Sequence, residues 1–221
     1  MAAGVVIPLS ETHQSAQQVP AFLTEHELLA VLRIARKQHT RDWCMILLAY
    51  GHGLRTEEIC ALRTSDIRNG VLSVQRRKRS LKTSQPLLRN ESEPLLDEVA
   101  AMDRWLRERP QDDSGVLFTS RNGGELHRSQ FFRVFQRIAE QAGLPLAKRN
   151  PRILKYSLAA HLLASGVDIF RVTEILGHRS LHSTLRYARA ARRIAEPSEF
   201  ALVASLWRES AAGAAREARG L

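Results

Sequence analysis

Cysteine is nearly absent from the chain: Cys44 and Cys60 are the only two in 221 residues. Both sit in apolar settings, "WCMILLAY" and "EEICALR", where a small side chain packs as a core residue, so neither a disulfide framework nor a zinc site is expected to organise the fold. Aromatic residues make up only 6% of the chain, which argues against a protein that stacks successive bases of a single strand. No apolar run approaches the ~20 residues needed to span a bilayer. The opening segment, "MAAGVVIPLSETHQSAQQVP", has neither the charged nor the apolar region of a secretory leader, so a reducing cytoplasm and no membrane association are expected. Acidic residues are also short: 23 Asp and Glu stand against 33 Lys and Arg, a net charge of +10 and a pI near 10.5. An excess of that size points to a polyanionic partner, nucleic acid before a membrane surface or a ribosome.

The remaining 44% of hydrophobic residues can fill a core, and their spacing is mostly helical. Thr24 and Glu27 in "LTEHELLAVLRIARK" have capping-box spacing, followed by one apolar face of Leu28, Val31, Leu32 and Ala35. "DWCMILLAYGHG" is apolar all round, as a buried helix is, and Gly51 and Gly53 stop it. A short helix, "TEEICALRTSDI", follows. The period then changes. "VLSVQ" after the Asn69-Gly70 turn and "TSQPLL" after the basic "RRKRSLK" read as a small antiparallel hairpin with cations at its tip. Ser92 is expected to open a helix through "SEPLLDEVAAMDRWLRER", with Pro94 in its first turn. "GVLFTS" and "RNGGELH" suggest a short extended pair, and a helix from Ser129 ends at Gly143. Helices from Arg152 to Ser165 and Asp168 to Leu176, a segment around Tyr187 and a tail helix from Ser198 complete the reading. The expected fold is mainly α with a small antiparallel β-sheet. Its expected organisation is a flexible arm over 1–21, one domain over 22–195 and a tail over 196–221.

Three stretches, "LAYGHGLRTEEICALRTSDI", "VQRRKRSLKTSQPLL" and "AAHLLASGVDIFRVTEILGHRSLHSTLRYA", stand in an order and at distances that resemble the catalytic domain of the tyrosine recombinases, the phage integrase family. The likeness is strongest to the short fimbrial-switch invertases and runs from about Leu23 to Ala191. It implies the tyrosine-recombinase catalytic-domain fold and cleavage and rejoining of double-stranded DNA through a 3′-phosphotyrosine. It implies neither a metal nor another cofactor. It further implies a homo-oligomer, a dimer on each site and a tetramer in synapsis, with room for a partner recombinase. By position, Arg55 becomes a phosphate-clamping arginine and Glu58 its acidic buttress. Lys78 becomes the acid for the leaving 5′ oxygen, His178 steadies the transition state, and Tyr187 is the nucleophile. His161 matches a structural helix histidine. Arg76, Arg77, Arg79, Lys82 and Arg179 are then candidate backbone grips on DNA.

These residue types suit the implied reaction. A phosphorane-like transition state gathers negative charge, and without a metal fixed cations have to stabilise it. Guanidinium binds two phosphate oxygens at once and keeps its proton. The covalent phosphotyrosine conserves the bond energy for rejoining, and an acid must protonate the leaving oxygen. One box departs from the family pattern: where His-x-x-Arg is usual, this chain has Arg152-Ile-Leu-Lys155. Residues at i and i+3 share a helix face, so both cations are expected to address one phosphate, with Lys155 as a point charge and Arg152 restoring the fork. A plain role in phosphate contact stays open for this pair. Lys82 and Arg79 compete with Lys78 for the tip position. The altered box also leaves open a DNA-binding regulator on the same fold. Phe200, Val203, Leu206 and Trp207 give the tail an apolar face that docks either on a neighbouring protomer or on its own domain.

Overall fold

The computed structural model describes residues 21–77, 80–110, 114–120 and 123–192, without the side chains of residues 189 and 190. The expected N-terminal arm up to residue 20, the tail from Ser198, and Lys78 and Arg79 lie outside the described residues. Eight helices and one three-stranded sheet are formed among the described residues: α1 Glu25–Gln38, α2 Thr40–Gly51, α3 Thr56–Cys60, β1 Ile67–Arg68, β2 Val71–Val74, β3 Thr83–Pro86, α4 Glu98–Glu108, α5 Arg128–Gln141, α6 Arg152–Ala164, α7 Ile169–Ile175 and α8 His182–Ala191. The mainly α architecture with a small antiparallel sheet is therefore observed.

Helix α2 is the centre of the core. Every residue of it except Arg41 is buried, as the apolar run from Trp43 to Gly51 requires, and α1, α4 and α6 pack around it. Helix α1 starts with the capping box read from Thr24 and Glu27 and buries Leu28, Val31, Leu32 and Ala35. His161 joins α6 to this core, with Nδ1 against the Tyr50 hydroxyl at 2.7 Å and Nε2 against the Leu23 carbonyl at 2.6 Å. Burial outweighs the Leu23 contact and lowers this imidazole to about 4, as befits a neutral structural histidine.

The sheet has order β1-β2-β3, all antiparallel. Asn69 and Gly70 both take positive φ, 51° and 71°, which is the geometry a two-residue hairpin of matching twist demands. They join β2 to β1, whose Ile67 the sequence reading placed at the end of a helix from Thr56, whereas α3 stops at Cys60. In β2 and beyond, Leu72, Val74 and Arg76 fall on the buried face and Gln75 and Arg77 are exposed, a period of two.

Three boundaries differ from expectation. Helix α4 begins at Glu98, with Asp97 Oδ1 accepting from the Ala100 N–H at 2.8 Å. The segment from Ser92 is instead turned by Asn90, whose Oδ1 accepts from the N–H groups of Ser92 and Glu93. Helix α5 starts at Arg128 because His127 serves as its N-cap. The expected extended pair is reduced, among the described residues, to single bridges of Val116 with Arg63 and of Thr119 with Glu125.

Two glycines let the site close. Gly177 has φ +65°, its carbonyl accepts from the Leu81 N–H at 2.9 Å, and a Cβ there would lie 2.8 Å from the Leu81 carbonyl oxygen. Gly53 has φ +55°, and its Cβ would lie 2.7 Å from Leu176 Cδ2. Gly143 has φ +75° with nothing within 4 Å of its Cβ position. Gly143→Ala is thus expected to cost about 1 kcal/mol, the left-handed backbone penalty alone. Gly177→Ala should cost at least about 1 kcal/mol more. Urea denaturation of the two variants measures the difference, and equal losses would refute close packing of the hairpin on Gly177.

Candidate active site

The site is assembled around a buried carboxylate. Arg55 ends the extended segment before α3, and Glu58, at the third position of that helix, reaches back to it. Glu58 Oε2 accepts from the Arg55 backbone N–H at 2.9 Å, and Oε1 accepts from Arg55 Nη1 at 2.8 Å. The hairpin supplies two further donors: the Arg77 N–H to Oε1 at 3.0 Å and Arg76 Nη1 to Oε2 at 3.2 Å. Burial pushes the Glu58 carboxyl up, but the N–H groups of Arg55 and Arg77 and the guanidinium charge of Arg76 outweigh it and bring it down to about 2.

Arg76 does not face outward as a DNA grip. Its guanidinium is fully buried. Nε donates to Thr83 Oγ1, Nη1 to the Gly53 carbonyl and Glu58, and Nη2 to the carbonyls of His52 and Ile175. A guanidinium has five N–H donors, and all are used inside the protein, so none is left for a phosphate. The sequence carried a signal for this: Arg76 is in phase with buried Leu72 and Val74.

Lys155 comes to the same place from α6. It is buried, and its Nζ donates to the carbonyls of Gly53 at 2.9 Å and Leu176 at 3.1 Å. Burial first, then the charges of Arg76 and Arg55, pull its ammonium well below the usual lysine range, with Glu58 opposing. His178 follows Gly177 and is tethered through Nδ1 to Thr184 Oγ1 at 2.9 Å. Burial, then Lys155, Arg55, Arg76 and Arg186, lower it to about 3, so its imidazole is neutral at physiological pH. Tyr187 lies one and a half helical turns into α8, with its ring stacked on His178 at 6.2 Å and 16°. It is only 4% exposed. Burial and the neighbouring Tyr156 phenol raise its hydroxyl to about 12, against the opposing pull of Arg186 and Arg55. Arg55, Glu58, Lys155, His178 and Tyr187, which span more than half the chain in sequence, thus form one cluster of guanidinium, carboxylate, ammonium, imidazole and phenol.

Known proteins resemble this chain over most of its length. The profile of the phage integrase family matches residues 21–193. The type 1 fimbriae regulatory protein FimB of Escherichia coli (strain K12) is 34% identical over 173 residues, covering 75% of this chain and 82% of FimB. The chain belongs to the phage integrase family, that of the tyrosine recombinases. Tyrosine recombinase XerA of Pyrococcus furiosus is also 34% identical, over 79% of this chain and 59% of its own length. Among solved structures, XerH bound to a palindromic difH substrate in a post-cleavage complex has a TM-score of 0.67 at 23% identity, covering 91% of this chain and 57% of that one. A λ integrase dimer bound to a COC′ core site has a TM-score of 0.63 at 21% identity, over 80% and 49%. These likenesses establish the recombinase catalytic-domain fold, and the chain spans about half of either solved recombinase.

Within that family frame the altered box resolves into two unlike residues. Lys155 is inside the cluster, whereas Arg152 is exposed at the first turn of α6. Burial separates the pair: the side of α6 that enters the protein carries Ile153, Leu154 and Lys155, whereas Arg152 stays at the surface. Arg77, Lys82 and Arg179 are exposed and flank the cluster in sequence, through Arg76, Thr83 and His178. Arg55 remains partly open, its side chain 27% exposed and its Nη2 donating to Ser80 Oγ at 3.2 Å. Sequence reasoning passed over Ser80, Thr184, Tyr156 and Arg186. Thr184 was spelled out in the segment resembling the family but given no role, and Tyr156 and Arg186 meet only through the packing of α6 on α8.

The carboxylate hub has a pH consequence. Between the ordinary 4.5 of a glutamate and about 2, the unfolded chain binds a proton at Glu58 that the folded chain refuses, so stability falls as pH drops through that window. His161 and His178, lowered to about 4 and about 3, begin the loss from about 6.5 downward by the same logic. Glu58→Gln is expected to lose about 3 kcal/mol at neutral pH and much less at pH 3. Denaturant titrations at the two pH values check this, and an equal penalty at both would remove Glu58 as the charged hub.

Proposed function

We propose that this protein is a site-specific DNA recombinase that cleaves and rejoins duplex DNA through a 3′-phosphotyrosine at Tyr187. The observation that supports it best is the single cluster in which Arg55 and Lys155 lie close enough to perturb His178, while His178 stacks on Tyr187. In the proposed reaction the Tyr187 oxygen attacks phosphorus, the bond from phosphorus to the 5′ oxygen breaks, and the 5′ oxygen takes a proton. Arg55, whose guanidinium is held by Glu58 yet partly open, clamps the phosphate. Lys155 adds an ammonium from below, with one N–H remaining after its two carbonyl contacts. His178 is neutral in the free protein because cations surround it. An incoming phosphate supplies the missing negative charge, raises its basicity and lets it take or share the phenol proton. Lys78, which follows Arg77 in sequence, keeps the proposed role of acid to the leaving oxygen.

Arg77, Lys82 and Arg179 are the proposed backbone grips, and Arg76 is withdrawn from that set. The net charge of +10 supports a DNA partner, and the λ integrase dimer on its core site supports assembly of this chain on DNA as an oligomer. A second reading, a DNA-binding regulator on the same fold, is favoured by one observation: Lys155 spends two donors on backbone carbonyls where a guanidinium fork would address the phosphate.

Nicked suicide duplexes carrying the recombination site separate the two. The recombinase forms a covalent protein–DNA adduct that Tyr187→Phe abolishes by at least 10³-fold, on the order expected for loss of a nucleophile. Tight, salt-sensitive binding with no adduct from the unaltered chain would instead establish the regulator. On duplex DNA, Arg77→Ala and Lys82→Ala should each lower the slope of log affinity against log salt by about 1. A slope unchanged in both would displace the proposed grips from the interface.

A further inference from the structure

Two side chains beside Tyr187 have no part in the cleavage scheme. The ring of Tyr156, the residue after Lys155 in α6, has its centroid 5.4 Å from that of Tyr187 at an interplanar angle of 47°. Arg186, the residue before Tyr187 in α8, lies over both rings: its central guanidinium carbon is 5.8 Å from the Tyr156 centroid and 5.9 Å from the Tyr187 centroid. Successive helix residues point about 100° apart, so neighbours in sequence do not ordinarily face each other. Arg186 reaches the Tyr187 ring because Tyr156, packed in from α6, offers its guanidinium a second aromatic face.

We propose that Arg186 is a positioning residue for the nucleophile: held over the Tyr156 and Tyr187 rings, its guanidinium fixes the phenol from the α6 side and gives it a standing counter-charge. This rests on the reading of Tyr187 as nucleophile. Four groups face that phenol. Tyr156 comes from α6, His178 from the turn before α8, Arg55 from the start of α3, and Arg186 from α8 itself. His178 is neutral at physiological pH, and the Arg55 charge is compensated by Glu58. Arg186 has no acidic partner among the described residues, so solvent and salt, not a carboxylate, are what screen its charge at the rings. A cation over an aromatic face is attracted to it, and more strongly once the phenol is ionised. Of the two cations that oppose the burial of the Tyr187 phenol, Arg186 is the larger influence.

The chain has three tyrosines, Tyr50, Tyr156 and Tyr187, so the phenol can be observed without knowing the DNA site. Protein labelled with difluorotyrosine, which ionises in a pH range where the fold persists, gives three fluorine resonances, with Tyr187 assigned through Tyr187→Phe. Arg186→Gln is expected to raise the Tyr187 midpoint by about one pH unit, a tenfold loss of phenolate at fixed pH. Arg186→Lys should raise it by less, and 1 M salt should shrink the difference because Arg186 is exposed. The Tyr50 resonance, buried beside His161, reports an intact fold in each variant. A Tyr187 midpoint unmoved or lowered in Arg186→Gln, with Tyr50 unchanged, would overturn the proposal. Loss of the adduct assay's dependence on Tyr187 would instead strike the nucleophile itself and leave this titration unaffected.

Discussion

One buried carboxylate makes the cluster possible. Arg55, Arg76, Lys155 and Arg186 bring four cations into the surroundings of His178, and two of them, Arg76 and Lys155, are buried. Like charges in a poorly solvated interior repel strongly. Glu58 meets that repulsion with four donors on its two oxygens, two of them backbone N–H groups. It also divides its two arginine partners by function. Arg76 is consumed entirely by internal acceptors, whereas Arg55 keeps part of its guanidinium at the surface, where a phosphate can find it.

From that pair the geometry spreads outward through backbone carbonyls. Gly53 accepts from both Arg76 and Lys155, Ile175 accepts from Arg76 and Gln85, and Leu176 accepts from Lys155. The end of α2, the hairpin and the end of α7 are thereby fastened to one another by charged side chains, and the two left-handed glycines let these segments approach closely enough. His178 is carried into place as the next residue along. Its ring then sets the orientation of Tyr187, and Thr184 sets the orientation of His178. The site is an extension of the core's hydrogen bonding, which explains how a phenol on the last described helix meets an arginine from the third.

Much of this was legible in the sequence, for identifiable reasons. The capping box at Thr24, the apolar run from Trp43 to Gly51 in α2 and the Asn69-Gly70 turn are local signals, and local signals survive into the fold because tertiary packing has no cause to overrule them. The Ser92 start failed for a local reason as well: Asn90 Oδ1 turns the chain at Ser92 and Glu93, and Asp97 caps the helix further on through the Ala100 N–H. Arg55, Glu58, Lys155, His178 and Tyr187 could be named because their order and spacing resemble a family. Arg76 and Arg152 could not be sorted in that way, since a basic run looks the same whether its members face in or out.

By itself the sequence determined the mainly helical architecture, the cationic character and the identity of the groups available for phosphate chemistry, because periodicity, capping and charge are written within a few residues. Which cations remain open to a phosphate was decided only by the tertiary structure. A guanidinium is spent or available according to the carbonyls and carboxylates that meet it, and those arrive from segments as far as 99 positions away.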